Sequence, residues 1–130
     1  MNLQTRLLMS ISAFVLFVIG VAFSFVSQEI LEAVHGRAEP ATVVVMQLLG
    51  AAYLAFAFLN WLSRGATLGG IYGRPLSMPN LLHFSIVAIT LIKLAQVWPE
   101  PLLIGAAAVS AVLAAWFGLV VFNPPAAKRD

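Results

Sequence analysis

Apolar positions along this chain come in long unbroken blocks, with polar residues gathered between them. Four blocks, residues 7–26, 42–62, 81–98 and 102–122, supply the roughly 20 residues that a helix needs to cross a bilayer's hydrocarbon. Strands would leave backbone groups unpaired in lipid, so the pattern predicts helices. The segment 27–35 differs: Ile30, Leu31 and Val34 fall on one side and Glu29 and Glu32 on others, which predicts a short amphipathic helix. Gly36 is placed to stop it and Pro40 to start the second span. Pro75 and Pro79 precede the third span, Pro99 and Pro101 make a tight turn before the fourth, and Pro124 and Pro125 end it. That tight turn forces the last two spans to be antiparallel neighbours. The expected fold is all-α, an integral membrane antiparallel up-down-up-down four-helix bundle, with residues 1–130 forming a single membrane domain.

Composition agrees with the pattern. Of 130 residues, 62% are hydrophobic and 9% charged, and the mean hydropathy is +0.99. A soluble domain has roughly a quarter charged residues, so a water-soluble globule is excluded. The absence of cysteine removes disulfide scaffolds, cysteine-held zinc and thiol-redox chemistry. The formal charge of +2 is read as orientation, with no nucleic-acid partner implied. Arg6, the Arg64 and Arg74 loop (63–80), and the Lys128 and Arg129 tail fall on one side when both termini are cytoplasmic, and Arg37 on the other side sits among glutamates. The expected threading is N-in and C-in, with Trp61 and Trp98 at opposite interfaces. The first block is too long, and lacks a clean small-residue cleavage site, to be a signal peptide.

Helices in lipid associate through close backbone approach and hydrogen bonds. In the fourth span Ala106, Ser110, Ala114 and Gly118 recur every four residues, beside Ala107, Ala111 and Ala115. The second span offers Gly50, Ala51 and Ala55, and the first Gly20 and Ser24. These residues serve packing within the bundle or, alternatively, an interface with a second copy or another subunit.

Polar residues at membrane depth need a reason. Toward the outer leaflet, Gln47 lies about 9 Å into the second span and Lys93 about 8 Å below Trp98, with Gln96 one turn above Lys93. Either Lys93 snorkels to headgroups while the glutamines tie helices together, or the three form an outward-opening site for an anion or polar headgroup. Glu100 is spaced to pair with Lys93. Toward the cytoplasm, Asn60 and Arg64 end the second span, and Asn80 and His83 open the third. Such a group would bind a lipid phosphate or small acidic ligand, or else cap helix ends and anchor at headgroups.

Other chemistry finds little footing. Glu29, Glu32 and His35 carry one Glu-x-x-His spacing, whereas a di-iron bundle needs two and further inward carboxylates. His35 and His83 fall toward opposite sides, which excludes a shared haem. The glycine-rich loop lacks the Gly-Lys-Ser/Thr of a phosphate loop. No span holds the carboxylate on which small proton-coupled exporters depend, and no internal repeat suggests an inverted-repeat transporter. No metal, cofactor or catalytic residue is expected.

The run from Gln47 to Arg64, with Gly50, Asn60, Trp61 and Arg64 in place after an acidic amphipathic segment ending at Gly36, resembles small bacterial four-span proteins of the DoxX-like and domain-of-unknown-function type. The resemblance implies an up-and-down helical bundle in a bacterial inner membrane; some DoxX-like proteins are linked to redox or quinone-associated complexes. It carries no catalytic motif. The expected function is therefore a non-enzymatic accessory or structural subunit, or interaction partner, of a membrane assembly. Alternatives are a binder or carrier of a lipid, quinone or other hydrophobic small molecule, and an oligomeric channel or holin-like protein.

Overall fold

A computed structural model describes residues 3–66, 68 and 71–123. The described chain is all-helical: α1 (Leu3–Phe25), α2 (Ser27–His35), α3 (Pro40–Leu62), α4 (Arg74–Val97) and α5 (Pro101–Phe122). All but α2 are long and apolar enough to cross a membrane. Pro124, Pro125, Lys128 and Arg129 of the tail, and Gly69 and Gly70 of the loop, lie outside the described residues.

The chain divides into two compact units. One runs from Met9 to Arg64; the other comprises Gly65 onward together with the start of the chain through Leu8.

In the first unit, α1 and α3 are antiparallel, because Ser12 meets Asn60 while Ser24 meets Gly50. Between them, α1 breaks at Val26 (φ −124°, ψ 19°) and the chain resumes as α2. Hydrogen bonding continues through the break, from the Val26 N–H to the Ala22 carbonyl and from the Ile30 N–H to the Val26 carbonyl. A short helix covers this segment, with Leu31 and Ser27 buried and Glu29, Glu32 and Val34 exposed. Gly36 ends α2 at φ +71°, the left-handed region that glycine enters without steric cost, and its N–H caps the Glu32 carbonyl at 2.8 Å. Pro40 then opens α3, where its missing N–H leaves no donor to satisfy.

The α1–α3 crossing is close because two glycines occupy it. A Cβ at Gly20 would stand 2.9 Å from the Leu54 nitrogen, and one at Gly50 would stand 2.6 Å from the Ser24 nitrogen and 2.9 Å from the Gly20 carbonyl oxygen. Only hydrogen at these positions lets the backbones approach. The Ser24 hydroxyl is buried at this crossing and has no hydrogen-bond partner among the described residues. Ala51 and Ala55, expected to contribute to the same packing, are exposed on α3.

In the second unit, α4 and α5 form an antiparallel hairpin around the short turn at Trp98, Pro99 and Glu100. Burial follows one stripe on each helix: Ser77, Asn80, Phe84 and Ala88 on α4, and Ala107, Ser110, Leu113, Phe117 and Val120 on α5. Phe84 and Phe117 stack with ring centroids 5.9 Å apart and planes at 9°. Gly118 faces Leu81, whose Cδ1 stands 3.7 Å from where a Cβ would be, an ordinary van der Waals distance. Of the expected ridge, Ser110 is buried while Ala106, Ala114 and Gly118 are half-buried. The stripe drifts toward Leu113 and Phe117 because a helix turns every 3.6 residues and a strict four-residue step leaves its face.

The start of α4 departs from expectation. The helix begins at Arg74 instead of near Leu81, so Pro79 lies inside it and the loop preceding it ends at Gly73. Pro75 suits the first turn, but Pro79 removes an N–H from the helix interior. Side chains add bonds around it: the Ser77 hydroxyl donates to the Gly73 carbonyl at 3.1 Å and the Asn80 amide to the Leu76 carbonyl at 2.8 Å. These bonds fall on the Gly73 and Leu76 carbonyls, to either side of the Pro75 carbonyl that Pro79 deprives of its helical donor.

Candidate functional site

The inner polar residues divide between the units. Asn60 and Arg64 belong to the first, Asn80 and His83 to the second. Asn60 is wholly buried, and its amide donates to the Ser12 hydroxyl of α1 at 3.0 Å. Ser12, also wholly buried, donates its own proton to the Met9 carbonyl at 3.0 Å. The amide therefore ties two helices together. Arg64 lies just beyond the end of α3 and folds back: its Nη1 donates to the Trp61 carbonyl at 2.7 Å and its Cζ sits 3.9 Å from the centroid of the Trp61 indole. A guanidinium at that distance over an indole face is held by the ring's quadrupole.

Asn80 and His83 do not open α4, since the helix begins earlier and both fall within it. Asn80 is buried and bonded to its own helix backbone. His83 is half-buried, with its ring edge-on to Phe84 at 5.1 Å between centroids.

The outer residues Gln47, Lys93 and Gln96 are all exposed. Gln47 is in the first unit, and Lys93 and Gln96 are in the second. Gln96 lines a shallow groove of about 380 Å³ with Ile92, Ala95, Ile104 and Ala107. Glu100 is extended (φ −82°, ψ 135°) and precedes the first turn of α5.

A second groove had no counterpart in the sequence pattern. On the first unit, Phe14 and Phe17 of α1 and Phe58 and Trp61 of α3 form the walls of an apolar recess of about 270 Å³, floored by Ala13 and Ala57. Ala13 and Ala57 are buried, while the four aromatic residues are 45–68% exposed. The recess exists because Ala13 and Ala57 at the helix contact leave room beneath the large residues one and four positions further along each helix. In sequence, these aromatics are indistinguishable from other lipid-facing residues of an apolar block. Ser12 was visible as a hydroxyl within the first span, but its pairing with Asn60 needed the α1–α3 register.

Glu29, Glu32 and His35 are exposed on α2, and the Gln28 amide donates to Glu32 at 3.0 Å. No group of three or more His, Cys, Asp or Glu that could hold a metal ion occurs among the described residues.

No protein-family model, curated protein or solved structure matches this chain.

Proposed function

We propose that the chain is a multi-pass protein of a bacterial inner membrane, with both termini cytoplasmic, acting without catalysis as an accessory or structural subunit or interaction partner of a larger membrane assembly. The observation that carries this reading is the exposed side of α3. Only 11% of its most apolar window is buried. Ala51, Ala52 and Ala55 lie exposed there, among Leu48, Leu49, Phe58 and Leu59. Lipid needs no small residues to cover a helix, whereas a partner helix does, because association in lipid relies on close backbone approach. Gly20, Ser24 and Gly50 pack together at the α1–α3 crossing, and these alanines lie outside that contact.

The DoxX-like resemblance belongs to the same proposal. The four residues that carry it all make contacts within the first unit, where Gly50 permits the helix crossing, Asn60 bonds to α1, and Arg64 packs on Trp61.

Purification from native membranes in a gentle detergent tests the reading. A second copy or another membrane protein is expected at fixed stoichiometry, and Ala55→Phe is expected to release it without lowering the melting temperature of the chain itself. A chain that purifies alone, or a partner indifferent to Ala55→Phe, contradicts it. The second reading, a binder of a lipid, quinone or other hydrophobic molecule, is favoured by the aromatic groove of the first unit.

A further inference from the structure

We infer that the groove between α1 and α3 is a lipid site, taking a segment of one acyl chain of an anionic phospholipid whose phosphate is held by Arg64. The inference rests on the reading that α1 and α3 span a membrane.

Three observations lead to it. The groove is walled by Phe14, Phe17, Phe58 and Trp61 and floored by alanine, so its lining offers hydrocarbon and aromatic faces. Its volume of about 270 Å³ lies just below the ~300–1,000 Å³ of pockets that enclose compact small molecules. A length of chain fits such a recess better than a ring system with polar substituents. Finally, one end carries a cation. The antiparallel register puts Trp61 and Phe14 toward the end of α3, and Phe17 and Ala57 deeper along the helices. Arg64, one turn beyond, is clamped to Trp61 by the 2.7 Å hydrogen bond and the cation–π contact.

That clamp fixes where the charge sits. Guanidinium has five N–H donors, and the Trp61 carbonyl takes a bond from Nη1. The remaining donors suit phosphate, which guanidinium can bind through two parallel bonds. Tryptophan settles at headgroup depth, so a phosphate beside Arg64 and a chain running inward along Phe14 and Phe17 match the layout of a phospholipid. A neutral quinone would use the apolar recess but could take only a hydrogen bond from the guanidinium, without the charge pairing and bidentate fit that a phosphate gains.

Trp61 also reports on the site. In a Trp98→Phe, Trp116→Phe background it is the remaining tryptophan. Its fluorescence is measured with the full chain in vesicles containing phospholipid brominated on the acyl chain, with either phosphatidylglycerol or phosphatidylcholine headgroups. Brominated phosphatidylglycerol is expected to associate at Trp61 about fivefold more strongly, corresponding to the ~1 kcal/mol that one basic residue gains near anionic lipid. Arg64→Gln is expected to abolish that preference and leave quenching by brominated phosphatidylcholine unchanged. Equal quenching by the two lipids, a preference that survives Arg64→Gln, or an equal change with both lipids in that variant overturns the lipid site. Quenching by neither lipid overturns the membrane reading beneath it.

Discussion

The side-chain amide of Asn60, near the end of α3, donates a hydrogen bond to the hydroxyl of Ser12 on α1 at 3.0 Å, and both side chains are wholly buried. A buried amide is costly unless bonded, so this contact favours the register that also brings Gly50 against Ser24. Interhelical bonds of this kind are worth about 0.6 kcal/mol on average and up to ~1.7 kcal/mol in membrane proteins.

A double-mutant cycle with Asn60→Ala and Ser12→Ala is therefore expected to give a coupling energy of about 0.6–1.7 kcal/mol, read by reversible unfolding in mixed micelles. The Asn60→Ala single variant should cost more than the coupling itself, because it also leaves a cavity. Strictly additive single effects would show that the bond contributes nothing.

The small residues are not equivalent, and alanine substitution should rank them. At Gly50 the added Cβ meets backbone atoms of Ser24 and Gly20, which cannot move aside without separating the helices. Gly50→Ala should destabilise by about 1–3 kcal/mol, the usual cost of overpacking. Gly118→Ala meets only Leu81 at an ordinary contact distance and should be nearly neutral. Gly105→Ala meets nothing within 4 Å and should be neutral or stabilising by up to ~1 kcal/mol. Melting temperatures of the three variants in one detergent test the order, and Gly118→Ala as damaging as Gly50→Ala would refute it.

Much of the fold was legible in the sequence because lipid imposes a simple rule: long apolar blocks must be helical. The short helix before Gly36, the proline start of α3 and the antiparallel last hairpin followed from local signals, whereas Pro101, read as part of the turn, opens α5. The beginning of α4 did not. Two prolines ahead of an apolar block read as a turn, yet Pro75 fits a first turn and Ser77 and Asn80 supply bonds beside Pro79. The expectation that Asn80 and His83 open the third span inherited that error. The four-residue ridge of α5 was seen, but the buried stripe lies partly beside it, since Phe84 and Phe117 set where the helices meet. The aromatic groove was invisible for a different reason. Its lining residues look like any lipid-facing surface until the register of α1 and α3 brings them together.

The proposed threading, four apolar helices across a membrane with both ends on the cytoplasmic side, puts the residues just before α3 and α5 outside and the residue just after α3 inside. The chain has no cysteine, so single cysteines at Glu39→Cys, Ser63→Cys and Glu100→Cys give an unobstructed background for a membrane-impermeant maleimide applied to intact spheroplasts. Exposed positions just before α3 and α5 should be labelled from outside, and the position just after α3 only once the membrane is opened. Labelling of Ser63→Cys in intact spheroplasts, or protection of Glu39→Cys and Glu100→Cys until lysis, would contradict the account.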